Sequence, residues 1–158
     1  MTTGSRRARK KRPITLLAVH HEPAFHRRLR RSLGQQREIE LLGALTPDDM
    51  DPLKAVRRWR PQVLLLERQL AEGAGDSLLP AIHRHSPRTK VLLLSDQYLQ
   101  EEEIQAVKLG AIGYIGGDVT LPTLSKAVHV TTAGENWVRR KTASLILDDF
   151  LRLIPASS

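Results

Sequence analysis

The chain has 158 residues, a formal net charge of +8 and no cysteine. This length is typical of one domain with tails, and it is enough to bury a sizeable core. Without cysteine, disulfides, thiolate catalysis and cysteine-based zinc sites are excluded. The longest apolar runs, such as residues 14–19, are too short to span a bilayer, and no small-residue cleavage site follows that run. We therefore expect a cytoplasmic protein that makes no membrane contact.

Six positive charges lie together near the N-terminus, which leaves +2 for residues 13–158. We interpret residues 1–12 as a disordered basic arm. A DNA contact through phosphate neutralisation is one function for such an arm. A solvated tail is the other interpretation, because no aromatic side chain is interleaved to stack on bases. The six residues are Arg6, Arg7, Arg9, Lys10, Lys11 and Arg12.

Short apolar runs alternate with amphipathic segments along residues 13–138. The runs predict buried strands, and the segments between them predict helices. Asp51 and Thr120 are the predicted N-caps of two helices that have proline in their first turn. The predicted strands are 14–19, 39–45, 63–66, 91–95 and 114–115, and the predicted helices are about 22–34, 51–60, 76–85, 101–109 and 120–134, with a glycine-containing loop after the third strand.

This alternation predicts a doubly wound parallel sheet with helices on both faces. In such folds the functional crevice lies outside the carboxyl ends of the strands. Residues 13–138 form this predicted domain. The residues at its strand ends are His20, His21, Glu67, Ser95, Gly116 and Gly117.

A further helix is predicted over residues 141–154. Its apolar residues cover more of the helix surface than one packing face requires. The helix either docks on its own domain or serves as a linker or dimerisation helix whose second face contacts a partner. The apolar residues are Leu145, Ile146, Leu147, Phe150, Leu151, Leu153 and Ile154.

Four segments carry a family resemblance: H-H-E-P at 20–23, V-L-L-L-E at 63–67, K-L-G-A-I-G-Y-I at 108–115 and A-G-E-N-W at 133–137. With them, residues 14–137 resemble a response-regulator receiver domain of the NarL/FixJ family. The resemblance implies an α/β, flavodoxin-like fold with a five-stranded parallel sheet in the order 2-1-3-4-5, followed here by the extra C-terminal helix. It also implies a role in transcription regulation within a two-component phosphorelay.

The same resemblance implies an altered phosphorylation pocket. Family receivers bind Mg²⁺ with two acidic residues after the first strand and an aspartate at the end of the third, which accepts the phosphoryl group. The matching residues here are His20, His21 and Glu67, and histidine nitrogens suit Mg²⁺ poorly. The family lysine matches Gly117, whereas the sensing hydroxyl is kept as Ser95 and the aromatic switch as Tyr114. We expect a degenerate pocket in a pseudo-receiver, with no catalytic residue, metal or cofactor.

Five other interpretations of this pocket are open from the sequence, one of which is a pH sensor formed by histidines that face Glu67. Glu67 can act as a built-in phosphomimic that accepts a hydrogen bond from Ser95 and holds Tyr114 inward. It can instead be a solvated carboxylate, or still serve as a conventional phosphoacceptor. A zinc site from His20, His21 and Glu67 is disfavoured, because adjacent residues of a strand point in opposite directions.

The predicted function is a signalling and protein-interaction module that works without phosphorylation, and not an enzyme. Its predicted contacts with a protein partner or a second copy are the surface of residues 101–130 and the C-terminal helix. The alternative is a nucleic-acid-binding protein that uses the basic arm and the arginines of the first helix.

Overall fold

The computed structural model describes residues 12–73 and 78–155. One parallel sheet contains five strands in the order β2-β1-β3-β4-β5. The fold class and the strand order predicted from the sequence are therefore confirmed. The strands are β1 (Ile14–Val19), β2 (Ile39–Leu45), β3 (Val63–Glu67), β4 (Lys90–Ser95) and β5 (Gly113–Gly116).

Seven helices occur in the described part of the chain. Both predicted caps are present: the Asp51 carboxylate accepts a hydrogen bond from Lys54 N–H (3.2 Å), and the Thr120 hydroxyl accepts one from Thr123 N–H (3.3 Å). The helices are α1 (Pro23–Leu33), α2 (Pro52–Trp59), α3 (Arg68–Gly73), α4 (Leu78–His85), α5 (Gln100–Leu109), α6 (Leu121–Thr132) and α7 (Arg140–Arg152).

Helix α3 corrects one expectation, since a loop was predicted directly after β3. Residues 68–72 are good helix formers, and Arg68 forms an i,i+4 ion pair with Glu72 (2.6 Å). Ala71 is buried against the sheet. Tertiary packing and this ion pair therefore extend helical structure into a segment that its glycines had marked as a loop.

The helices cover both faces of the sheet, as expected for a doubly wound fold. On one face α1 and α6 pack over Leu16, Leu65 and Leu92. On the other face α2, α3, α4 and α5 pack over Leu17, Leu64 and Leu93. All five residues of β3 are buried, so this strand meets polar surroundings only at its carboxyl end.

The strand register brings the predicted site residues to one edge. Val19 pairs with Leu66, so His20 follows at the level of Glu67. Glu67 in turn pairs with Leu94, and Ser95 pairs with Gly116. The carboxyl ends of β1, β3, β4 and β5 therefore meet around one crevice.

Helix α7 contacts the domain through its first turns. Glu103 of α5 is buried and accepts hydrogen bonds from the Tyr98 hydroxyl (2.6 Å) and from Arg139 N–H (3.1 Å). Thr142, which is fully buried, lies 3.2 Å from the same tyrosine oxygen. The remainder of α7 leaves Leu147 and Phe150 more than half exposed.

Residues 1–11 lie outside the described residues, so the predicted basic arm is not tested; Arg12 is exposed. Among the helices that are described, none has the length and apolar composition needed to cross a membrane.

Candidate functional site

Glu67 has a buried carboxylate that is hydrogen-bonded by two donors of one neighbouring residue. Its side chain is 8% exposed. Oε1 accepts a hydrogen bond from the backbone N–H of His21 (3.0 Å), and Oε2 contacts His21 Nδ1. Since a carboxylate only accepts, the proton lies on Nδ1 of His21. Both carboxylate oxygens of Glu67 are therefore hydrogen-bonded by His21, two residues after the end of β1, and a buried carboxylate requires such donors.

His20 is also buried, and its ring stacks on Phe25 with centroids 4.3 Å apart. Its Nδ1 accepts a hydrogen bond from Glu22 N–H (3.0 Å). The neutral ring therefore carries its proton on Nε2, which lies 4.0 Å from Glu67 Oε2. Burial lowers the pKa of His20 from its ordinary value, whereas the nearby Glu67 carboxylate opposes this shift.

His20, His21 and Glu67 place ligand atoms within 4.8 Å of one another. The objection from strand geometry is wrong, because the two histidine rings stack on the same side with centroids 5.1 Å apart. The hydrogen-bond pattern supplies a different objection. A metal bound at Nε2 of His20 would displace the proton there, and the neutral ring would then carry its proton on Nδ1. Nδ1 could no longer accept the hydrogen bond from Glu22 N–H. The hydrogen bonds between His21 and Glu67 and the orientation of His20 therefore disfavour a zinc site.

A second carboxylate, that of Glu102 on α5, accepts hydrogen bonds from several donors on the other side of the crevice. Its Oε1 accepts hydrogen bonds from Ser95 Oγ (2.8 Å) and from the Tyr114 hydroxyl (2.7 Å). Its Oε2 lies 2.9 Å from a guanidinium nitrogen of Arg68. The Ser95 hydroxyl thus donates to Glu102 and not to Glu67, and neither Glu102 nor Arg68 was identified from the sequence.

Tyr114 lies inward, with 3% of the residue exposed. Its hydroxyl also accepts a hydrogen bond from Leu99 N–H (3.2 Å) and lies 3.0 Å from Gln97 O. Burial raises the pKa of Tyr114, and the hydrogen bond to Glu102 raises it further. The tyrosine is therefore a neutral donor at physiological pH, held between β5 and the start of α5.

Four of the predicted pocket residues line one cavity of about 460 Å³: His20, Glu67, Ser95 and Gly117. His21 is not part of the cavity wall, but it is hydrogen-bonded to Glu67, which is. Gly117 has φ +94°, a left-handed conformation in which a side chain is strained. The position that matches the family lysine thus holds a glycine suited to the turn after β5.

Comparisons with known proteins agree with this geometry. The family described as "Response regulator receiver domain" matches residues 16–129. The transcriptional regulatory protein YxjL of Bacillus subtilis is 23% identical over 139 residues, which cover 88% of this chain and 63% of that protein. The chain therefore spans less than two thirds of this relative's length.

Two solved structures share the fold. A LuxR-family two-component response regulator from Aurantimonas has a TM-score of 0.70 and 16% identity, over 88% of this chain and 99% of that one. The signal receiver domain of the response regulator NarL from Mycobacterium tuberculosis has a TM-score of 0.65 and 21% identity, over 79% of this chain and 100% of that one.

Acidification is expected to destabilise the protein through His20. The unfolded chain protonates this histidine near pH 6.5, whereas burial lowers the pKa in the folded chain. The unfolded state therefore binds more protons as the pH falls. The contribution of His20 to stability is present above about pH 6.5 and is lost as the pH falls toward the folded pKa.

Urea unfolding at a series of pH values measures this effect. His20→Gln should flatten the decline in the free energy of unfolding below about pH 6.5. His85→Gln, which replaces an exposed histidine, should leave the decline as it is in the wild type. Equal pH dependence in the wild type and in His20→Gln would contradict the assignment.

Proposed function

The chain belongs to the response regulator receiver domain family, and on that premise we propose that it is a receiver that signals without phosphorylation, within a transcription regulator. The observation that carries the proposal is the Glu102 carboxylate, which already binds the hydroxyls of Ser95 and Tyr114. In receivers these two positions respond to a phosphoryl group. Here both are satisfied by a side chain of the protein itself.

The residues at the family's metal position do not fit Mg²⁺. This ion requires oxygen ligands in near-octahedral geometry, whereas His20 and His21 offer nitrogens. The one carboxylate among them, Glu67, already accepts two hydrogen bonds from His21. A glutamyl phosphate at this position would also have to displace the hydrogen bonds from His21. These contacts support a pocket that no longer transfers phosphoryl groups.

Glu102 supplies part of what a phosphoryl group supplies. It presents a negative charge to one hydroxyl, one phenol and the guanidinium of Arg68. Charge-assisted hydrogen bonds of this kind are about twice as strong as neutral ones. Since Glu102 holds Tyr114 inward, the surface built from α5, β5 and α6 takes the shape set by this contact without a phosphoryl group. The phosphomimic role considered for Glu67 is therefore better assigned to Glu102.

The C-terminal helix provides a surface for a second copy. Phe150 and Leu147 are 60% and 56% exposed, and Leu151 and Ile154 are each 52% exposed. A contiguous apolar face of this kind marks an interaction site. Because α7 is anchored through Glu103 and Thr142, its exposed part projects in a fixed direction. We assign to it a homodimer contact alongside the surface of residues 101–130.

DNA contact through the basic arm stays a prediction from the sequence. In the described part of the chain, the exposed arginines Arg27, Arg28, Arg30 and Arg31 of α1 form no ion pair with an acidic side chain. This unpaired basic face is compatible with a polyanion, and phosphate contacts of this kind carry no sequence specificity.

Magnesium with beryllofluoride, a phosphoryl mimic, is expected to leave the amide NMR spectrum of the protein unchanged. The histidines at the family's metal positions do not fit the metal, and the hydroxyls that would bind the mimic are engaged by Glu102. The positive control is His20→Asp/His21→Asp/Glu67→Asp, which restores three carboxylates and should show Mg²⁺-dependent shifts. Shifts in the wild type at Glu67, Ser95 and Tyr114 would show that phosphoryl recognition persists and would overturn the proposal.

Glu102→Gln is expected to release Tyr114 from its single inward position. A neutral amide attracts Arg68 and the two hydroxyls less strongly, and we expect a loss of about 1–3 kcal/mol in the free energy of unfolding. Aromatic NMR signals of Tyr114 and urea unfolding measure the two effects. The matched control is Glu101→Gln on the exposed side of the same helix. The same Tyr114 signals in both variants would show that Glu102 does not hold the tyrosine.

Leu147→Ser/Phe150→Ser is expected to weaken self-association at least about tenfold, because truncating buried anchors removes most of the interface energy. Sedimentation velocity over a concentration series measures the change. Leu99→Ser, which removes an exposed leucine beside α5, tests the other surface. A loss confined to Leu99→Ser would place the dimer on the surface of residues 101–130, and a monomeric wild type would exclude a homodimer.

A further inference from the structure

The cavity beside Glu67 is larger than the degenerate phosphorylation pocket requires. Its volume of about 460 Å³ lies within the roughly 300–1,000 Å³ of small-molecule sites. From the strand ends it extends between α1 and α6. There its wall is apolar and comes from both helices and the loop before α6: Phe25, Leu29, Val119, Leu121 and Leu124.

Two cations line the α1 side of the cavity. Arg28 and Arg31 form no ion pair with an acidic side chain in the described part of the chain, and Ser32 lies beside them. The helix begins at the strand ends, so Arg31 lies ~13 Å along it from Glu22. Five acids also line the cavity. Glu67 and Glu102 already accept hydrogen bonds from the protein, and Glu22, Asp96 and Asp118 come shortly after β1, β4 and β5 in the sequence. The positive charge of Arg28 and Arg31 therefore lies along α1 beside the apolar wall, whereas the acids lie at or near the strand ends.

The strand end of the cavity holds a hydrogen-bond donor that has no acceptor among the described residues. The side chain of His20 is 9% exposed, and its Nδ1 is occupied by Glu22 N–H. Its Nε2–H makes no hydrogen bond to any described residue, since Glu67 Oε2 lies 4.0 Å away. Because His20 lines the cavity, a ligand there that carries an acceptor atom can accept a hydrogen bond from this Nε2–H.

We propose that the cavity binds a small organic anion with an apolar body, whose acidic group lies at Arg28 and Arg31 and whose acceptor atom faces His20 Nε2. Binding of this anion replaces phosphorylation as the input to the domain. This inference rests on the proposed function, because a pocket that still received phosphoryl groups would have to remain open to a phosphodonor. It adds the chemical class of the molecule that the pocket recognises.

Two dyes of nearly equal shape test the inference by fluorescence titration. The first is 8-anilino-1-naphthalenesulfonate, an organic anion, and the second is N-phenyl-1-naphthylamine, which has the same apolar body without the sulfonate. Arg28→Gln/Arg31→Gln is expected to weaken the anionic dye by about tenfold or more, since each lost contact was charge-assisted. The neutral dye should bind that variant and the wild type with equal affinity.

The same helix supplies the matched control. Arg27→Gln/Arg30→Gln removes the same charge from side chains that do not line the cavity, and the anionic dye should bind it as it binds the wild type. Amide shifts on dye addition should cluster at residues 28–32 and 119–124. Equal weakening in both double variants, shifts confined to α7, or no saturable binding of the anionic dye would each overturn the inference.

These outcomes are separate from those of the proposed function. The dye titration needs neither magnesium nor a phosphoryl mimic. If beryllofluoride leaves the spectrum unchanged and the dye does not bind, the phosphorylation-independent receiver stands and the ligand site falls. If beryllofluoride shifts the pocket residues, the proposed function falls whatever the dye does.

Discussion

A carboxylate at the end of a strand that is buried on both faces must find hydrogen-bond donors, and the site depends on how Glu67 meets this constraint. The strand supplies no donor of its own there, since its neighbours in the sheet are apolar. The donors come from the next strand end, through the backbone and ring of His21. A charge of this kind without a partner would cost several kcal/mol. His21, just after β1, thus supplies the hydrogen bonds that the buried carboxylate needs.

Three consecutive glutamates on α5 lie in three different environments, because successive residues of a helix face different directions. Glu101 is exposed, Glu102 faces the crevice and holds Ser95 and Tyr114, and Glu103 is buried against α7. Successive residues of a helix point about 100° apart, so neighbours in sequence meet different partners. The first can be neutralised at little cost in stability, whereas each of the other two holds donors from separate parts of the chain.

The strands, the two N-caps and the doubly wound parallel sheet followed from apolar runs and turn residues, because these signals are local. The strand order followed from the family resemblance. The convergence of His20, His21 and Glu67 followed from the same topology. The role of Glu102 did not, since the sequence shows three equal acids at 101–103 and the turn before α5 decides which one reaches Ser95. Helix α3 was missed because its stability depends on Ala71 packing against a sheet that is distant in sequence.

The crevice and the C-terminal helix are joined by direct contacts through one element. The ring of Tyr114 packs edge-on against that of Tyr98 at 5.7 Å, and their hydroxyls bind adjacent glutamates of α5. The Arg139 guanidinium lies 3.5 Å from the centre of the Tyr98 ring, directly before α7. A displacement of α5 large enough to free Tyr114 therefore also disturbs the Glu103 contacts that fix α7. The pocket and the exposed helix are therefore connected by a short series of contacts through Tyr114, Tyr98 and α5.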